Sequence, residues 1–229
     1  MPDGKADAVA TERPQARPTL FQGGLSDRNP YDPIVVLTLV GRLFLVLAGG
    51  FFLRAMTEAG LLPPAAGVAM AFAYALIWLF MCDRAGRRKQ VSNAVFHALA
   101  AAMVAFPLLV EATTRFEVLG GAGAALAITL LSAAFVFVAW RQRLQAIGWV
   151  TVLAALPTSL VLMAKTGMFA PFALYLIALG VASLWLAYSR GWIALSWPGA
   201  LGADLAVIGV TLRALSPQHQ DLAGAALLL

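Results

Sequence analysis

From residue 34 onward the chain is a succession of seven apolar stretches, most of them 17 to 20 residues long, separated by short polar breaks. At a rise of about 1.5 Å per residue, roughly 20 apolar residues in a helix cross the ~30 Å hydrocarbon core of a bilayer. Backbone polar groups in lipid must be satisfied within the segment, so each stretch has to be a helix or a strand of a closed barrel. The runs are continuous rather than alternating, and Ala and Leu dominate them, which selects helices. The spans read as 34–53, 64–82, 94–110, 121–140, 144–163, 169–188 and 198–212, the last being short for a crossing. Composition agrees: 61% of residues are hydrophobic and 12% charged, against about 45–50% and ~25% in soluble domains. This excludes a soluble enzyme, a disordered regulator and a disulfide-rich secreted domain. The expected fold class is an all-α polytopic membrane bundle of about seven helices.

The domain plan follows. Residues 1–33 carry five prolines and mixed charge without helical or strand periodicity, so they read as a flexible cytoplasmic arm. Residues 34–215 form the transmembrane domain. Residues 216–229 are a tail whose last residues, LAGAALLL, read either as a short tolerated hydrophobic end or as the start of a truncated eighth span.

The breaks encode orientation. With the N-terminus inside, eleven of the 16 Lys and Arg residues fall on the cytoplasmic side, in the arm, in DRAGRRKQ, at Arg141 and Arg143, and at Arg190. Four fall opposite (Arg54, Arg115, Lys165 and Arg213) and Arg42 lies within a span. This excess predicts a cytoplasmic N-terminus. Bases scattered between apolar runs mark topology rather than nucleic-acid binding. Trp140, Trp192 and Trp197 fall near the same side, as an interfacial belt would. The expected partners are the lipid bilayer and other membrane subunits.

Ionisable residues inside spans are the first place to look for function. Arg42 sits eight residues into the first span and Asp204 six into the seventh, about 12 Å and 9 Å from the same side. They form a candidate intramembrane pair. A candidate polar cluster lies at the outer edge: Arg54, Glu58, Glu111, Arg115 and Glu117, with Lys165 on the same side. Glu111 and Arg115 are spaced to pair along one helix face. His97, early in the third span, reads as a hydrogen-bond donor between helices. Pro107 and Pro157 predict kinks. Gly49-Gly50, the Gly-rich start of the fourth span, and Gly199, Gly202 and Ala203 suit close helix approach.

Cofactor and metal chemistry is not expected. Cys82 is the only cysteine, so no disulfide or thiol metal site can be built from this chain, and His97 and His219 alone make no histidine site. Phosphate-loop, GxSxG and HExxH patterns are absent. No catalytic residue stands out, and the balance leans away from an enzyme.

The stretch VGRLFLVLAGGFFLRAMTEAGLLPPAAGVAM resembles the opening unit of a bacterial family of predicted multi-span membrane proteins of unknown function. In that family a Gly-rich first span leads through a Gly and Pro turn into a second span. The resemblance extends through the basic loop and FPLLVEATTRF, over about 34–215. Members are typically longer, so it implies that this chain is an N-terminal part, seated in a bacterial cytoplasmic membrane. It implies no chemistry at any position. Four roles are open: transport of a small solute or lipid, scaffolding of an envelope complex, an intramembrane enzyme acting on a lipid or cell-wall precursor at the outer edge, and a purely structural partner subunit. Transport predicts a polar cavity near Arg42 and Asp204. The enzyme predicts carboxylates converging around Glu111. A structural subunit predicts neither, with a small-residue groove facing lipid instead.

Overall fold

The computed structural model describes residues 33–214. Seven helices follow one another: α1 Pro33–Glu58, α2 Pro64–Arg87, α3 Val91–Thr114, α4 Gly121–Gln142, α5 Gln145–Thr166, α6 Phe169–Arg190 and α7 Ser196–Ala214, with a 3₁₀ turn at Ile193–Leu195 before α7. All seven are long and apolar enough to cross a membrane, and no strand occurs among the described residues. The protein is a multi-pass membrane helix bundle. The arm 1–33, apart from Pro33, and the tail 216–229 lie outside the described residues.

The chain divides into Met1–Val40 and Gly41–Leu229. In the first unit the described residues are the opening turns of α1, where the Thr38 hydroxyl donates back to the Ile34 carbonyl at 2.7 Å. Everything below concerns the second unit.

Several helices outrun their apolar stretches. α2 continues past Cys82 to Arg87, and α3 begins at Val91 rather than 94. Hydrophobicity marks only the part of a helix inside the hydrocarbon, and the polar turns beyond it sit at headgroup level. Prolines at helix starts cost nothing because the first amides have no intrahelical partner; Pro63 and Pro64 open α2 this way. α3 and α5 run unbroken through Pro107 and Pro157. Gly167 and Gly191, at φ +66° and +72°, end α5 and α6 in the left-handed conformation that glycine adopts without strain.

α3 is the central helix. It packs on α2, α4 and α5, and 56% of the residues in its apolar stretch are buried, against 6% for α1. Alanine makes this closeness possible. Ala94, Ala98, Ala101, Ala105 and Ala112 are fully buried on α3, where larger side chains would force neighbours apart. Phe106 and Phe135 fill the middle with ring centroids 5.9 Å apart.

Glycine sets the close crossing of α6 and α7. At Gly199 of α7 an added Cβ would lie 2.0 Å from Ser183 Oγ and 3.4 Å from the Gly180 backbone of α6. The small residues flagged at the start of the seventh span are therefore the contact surface of α6 and α7. The 3₁₀ turn lengthens this last crossing to 19 residues over Ile193–Thr211. Leu195, fully buried, tucks the turn against Gly148 of α5.

Candidate functional site

Arg54 and Glu58 lie one turn apart at the end of α1, so both side chains share a face. Arg54 Nε donates to Glu58 Oε1 at 2.7 Å, and Arg54 Nη1 donates across to Glu111 Oε1 on α3. Arg115, capping α3, reaches back to Glu58 Oε1 at 2.9 Å. The result is a two-helix ion network with Arg54 at its middle. Its geometry corrects the expected Glu111–Arg115 pair. Those two share α3, yet each pairs across to α1, where an opposite charge stands at the same level. Glu117 is exposed in the turn after α3 at φ +52°, outside the network, and Lys165 is exposed.

Two close approaches hold α1 in place here. An added Cβ on Gly67 would meet Thr57 Oγ1 at 1.9 Å, so only glycine lets α2 start so near the end of α1. Tyr74 of α2 donates its hydroxyl to the Val46 carbonyl at 3.0 Å.

Between α1 and α3 lies a groove of about 330 Å³, with Phe51 and Met103 on its exposed side. Leu47, Gly50 and Phe51 line it from α1, and Met103, Val104, Pro107 and Leu108 from α3, with Arg54 and Glu111 closing one end. Pro107 has no amide to offer the Met103 carbonyl one turn before it, which adds an acceptor beside the groove. An apolar trough ending in a paired cation and carboxylate is amphiphilic in the sense a lipid is.

The Arg42–Asp204 pair is not formed. Arg42 lies over the Phe96 ring at 5.0 Å, while α7 packs on α6 and α5. Their depths differ too. Thr57 sits against Gly67 and Gly49 against Tyr74, which puts Arg42 level with residue 82 of α2, about 7 Å from that helix's end at Arg87. Gly199 against Gly180 and Ser183 puts Asp204 level with residue 177 of α6, roughly 20 Å from Arg190. Equal depth holds only if both spans start in one plane, and the tucked 3₁₀ turn starts α7 further in. Asp204 is exposed, opposite the buried face of Gly199, Gly202 and Ala206, and Arg42 is near enough to one end for its stem to reach the headgroups. Changing Arg42 and Asp204 to Ala singly and together should therefore give additive stability changes within about 0.5 kcal/mol. Thermal unfolding in detergent reads this, and a coupling well above that would mean that the two side chains meet.

Two features of the opposite end escaped the sequence reading. Asp83, assigned there to a loop, is a buried acceptor at the end of α2. It takes hydrogen bonds from Arg87 and from Gln142 of α4, with Arg141 at 3.6 Å. Its signal was the Asp83–Arg87 spacing of one helical turn. His97 does not make the expected hydrogen bond between helices among the described residues. It packs against Trp78 at 5.3 Å and Phe96 at 5.5 Å, and its buried Nδ1 has no hydrogen-bond partner among the described residues. The described residues contain no cluster suited to a metal ion.

Family, curated-protein and solved-structure comparisons all return no match for this chain.

Proposed function

We propose that this membrane protein binds and moves a membrane amphiphile, taken in sideways from the bilayer through the groove between α1 and α3. The observation that carries this reading is the groove itself, an apolar trough that ends on Arg54 and Glu111. A phospholipid with an amine in its headgroup matches that end. Its phosphate would face the Arg54 guanidinium and its ammonium the Glu111 carboxylate, while one acyl chain lies along Phe51 and Met103. The transport reading built on Arg42 and Asp204 has no support from the cavities, since the space of about 190 Å³ beside Arg42 is lined otherwise by Leu45, Val46, Tyr74, Trp78 and Phe96.

We assign the protein on the same footing to a bacterial cytoplasmic membrane with its N-terminus inside, from the distribution of bases. The groove's charged end then faces the outer leaflet. A cysteine placed at Gly86 on a Cys82→Ala background should be shielded from impermeant thiol reagents in intact cells, and labelling there would reverse the orientation.

A second reading is an enzyme working on a lipid at this edge. It is favoured by the convergence of Glu58 and Glu111 on one guanidinium, although both carboxylates are engaged as ion-pair acceptors. The test of lipid binding is titration of the purified protein with phosphatidylethanolamine, read by native mass spectrometry. Met103→Trp, a half-exposed position facing the groove, should weaken binding at least fivefold with little change in unfolding temperature. Unchanged affinity would remove the groove from the function.

A further inference from the structure

A second groove, of about 380 Å³, lies between α4 and α6. It is distinct from the α1–α3 groove, and the inference from it does not rest on the reading above. Val136, Phe137 and Leu179 line its walls, and Trp140 and Trp185 stack at one end with centroids 5.7 Å apart. It stays open because Ala133, Ala178 and Ala182, which also line it, are too small to fill it. From Trp140 it reaches Thr129, eleven residues back along α4, a length of about 16 Å and close to half the ~30 Å hydrocarbon core. At its deep end the hydroxyls of Ser132 and Tyr175 bond each other at 2.7 Å, so no polar ligand is needed there.

The tryptophan end is different. Arg190 stacks on the Trp140 ring at 5.0 Å and donates Nη2 to the Trp140 carbonyl at 2.9 Å. Among the described residues its guanidinium meets no carboxylate, its Nε is buried without a partner, and Nη1 has none either. A half-buried cation held by an aromatic ring and one carbonyl, with donors left over, is under-satisfied by the described residues. Arg143, exposed at the end of α4 and in no ion pair among the described residues, adds positive charge at the same end.

We infer that the α4–α6 groove is an anionic phospholipid site, with one acyl chain along Val136 and Leu179 and the phosphate on Arg190. The occupant is a lipid because the trough is apolar, carries the exposed Phe137 and Trp185 on its walls and is one leaflet long. The headgroup is anionic because the cation at that end meets no carboxylate among the described residues, in contrast to the paired charges of the other groove.

The test uses the full chain in detergent, with phosphatidylglycerol carrying a photoactivatable diazirine in one acyl chain. Peptide mapping of the unmodified protein should place crosslinks within 129–140 or 178–185, and crosslinks confined to other helices would overturn the assignment. In titrations read by native mass spectrometry, phosphatidylglycerol should bind at least fivefold tighter than phosphatidylcholine. Arg190→Gln should abolish that preference, Arg190→Lys should keep most of it, and Ala178→Phe should weaken both lipids. Glycerol 3-phosphate, which has the phosphate and no chain, should not compete. Its competing as well as the lipid, or an Arg190→Gln protein with full preference, would overturn the site.

Discussion

Arg54→Ala is expected to be the most damaging single change at the charged end of the bundle, lowering stability by about 1–2 kcal/mol. The guanidinium serves two carboxylates on two helices, and it is two-thirds shielded, with 33% of its side chain exposed. Among the described residues, its removal leaves Glu58 with Arg115 alone and Glu111 with no cation. A partly enclosed carboxylate without a partner bears its desolvation cost uncompensated. Arg115→Ala should cost less than about 1 kcal/mol, because that side chain is half exposed and serves one acceptor. Adding Glu111→Ala to Arg54→Ala should restore part of the loss, since the stranded acid is then gone. Arg54→Lys should remain destabilised, because an ammonium cannot direct two forked donors at two acceptors. Thermal unfolding of the four variants in one detergent provides the comparison. Equal losses for Arg54→Ala and Arg115→Ala would contradict a network centred on Arg54.

Gly199→Val should separate α6 from α7 and cost about 3 kcal/mol, at the upper end for overpacking. The added Cβ has nowhere to go. Ser183 Oγ lies 2.0 Å and Ser183 Cβ 2.9 Å from its position, and behind them stands the Gly180 backbone. Ser183 is itself tied down by a 2.7 Å hydrogen bond to the Gly180 carbonyl. The milder pair Gly199→Ala with Ser183→Gly should recover much of the Gly199→Ala loss, because the second change removes the atoms the first one strikes. Gly41→Ala is the control. Nothing lies within 4 Å of its Cβ position, so relief of the glycine's helix penalty should stabilise by up to about 1 kcal/mol. Failure of Ser183→Gly to rescue would mean that another contact governs this crossing.

The number of helices, their type and the charged character of both ends were legible in the chain alone. An apolar run of 20 residues admits few backbone solutions in lipid, and charges gather where those runs stop. For the same reason Arg54, Glu58, Glu111 and Arg115 could be gathered at one end, since each sits at the edge of its span. Which carboxylate meets which guanidinium was beyond sequence. Spacing along one helix suggested Glu111 with Arg115, and the sideways register of α1 against α3 chose Arg54 with Glu111 and Arg115 with Glu58. Depth was beyond it as well. Counting residues from the start of each span assumes a common plane, and one buried 3₁₀ turn anchored by Leu195 moved Asp204 about 12 Å out of line with Arg42. The two grooves were the least legible of all. Their linings come from different helices, and each is bounded by what neighbouring small side chains leave unfilled. Hydrophobicity acts on each helix singly and is written residue by residue, whereas register and packing depend on pairs of surfaces that meet only once the bundle has formed.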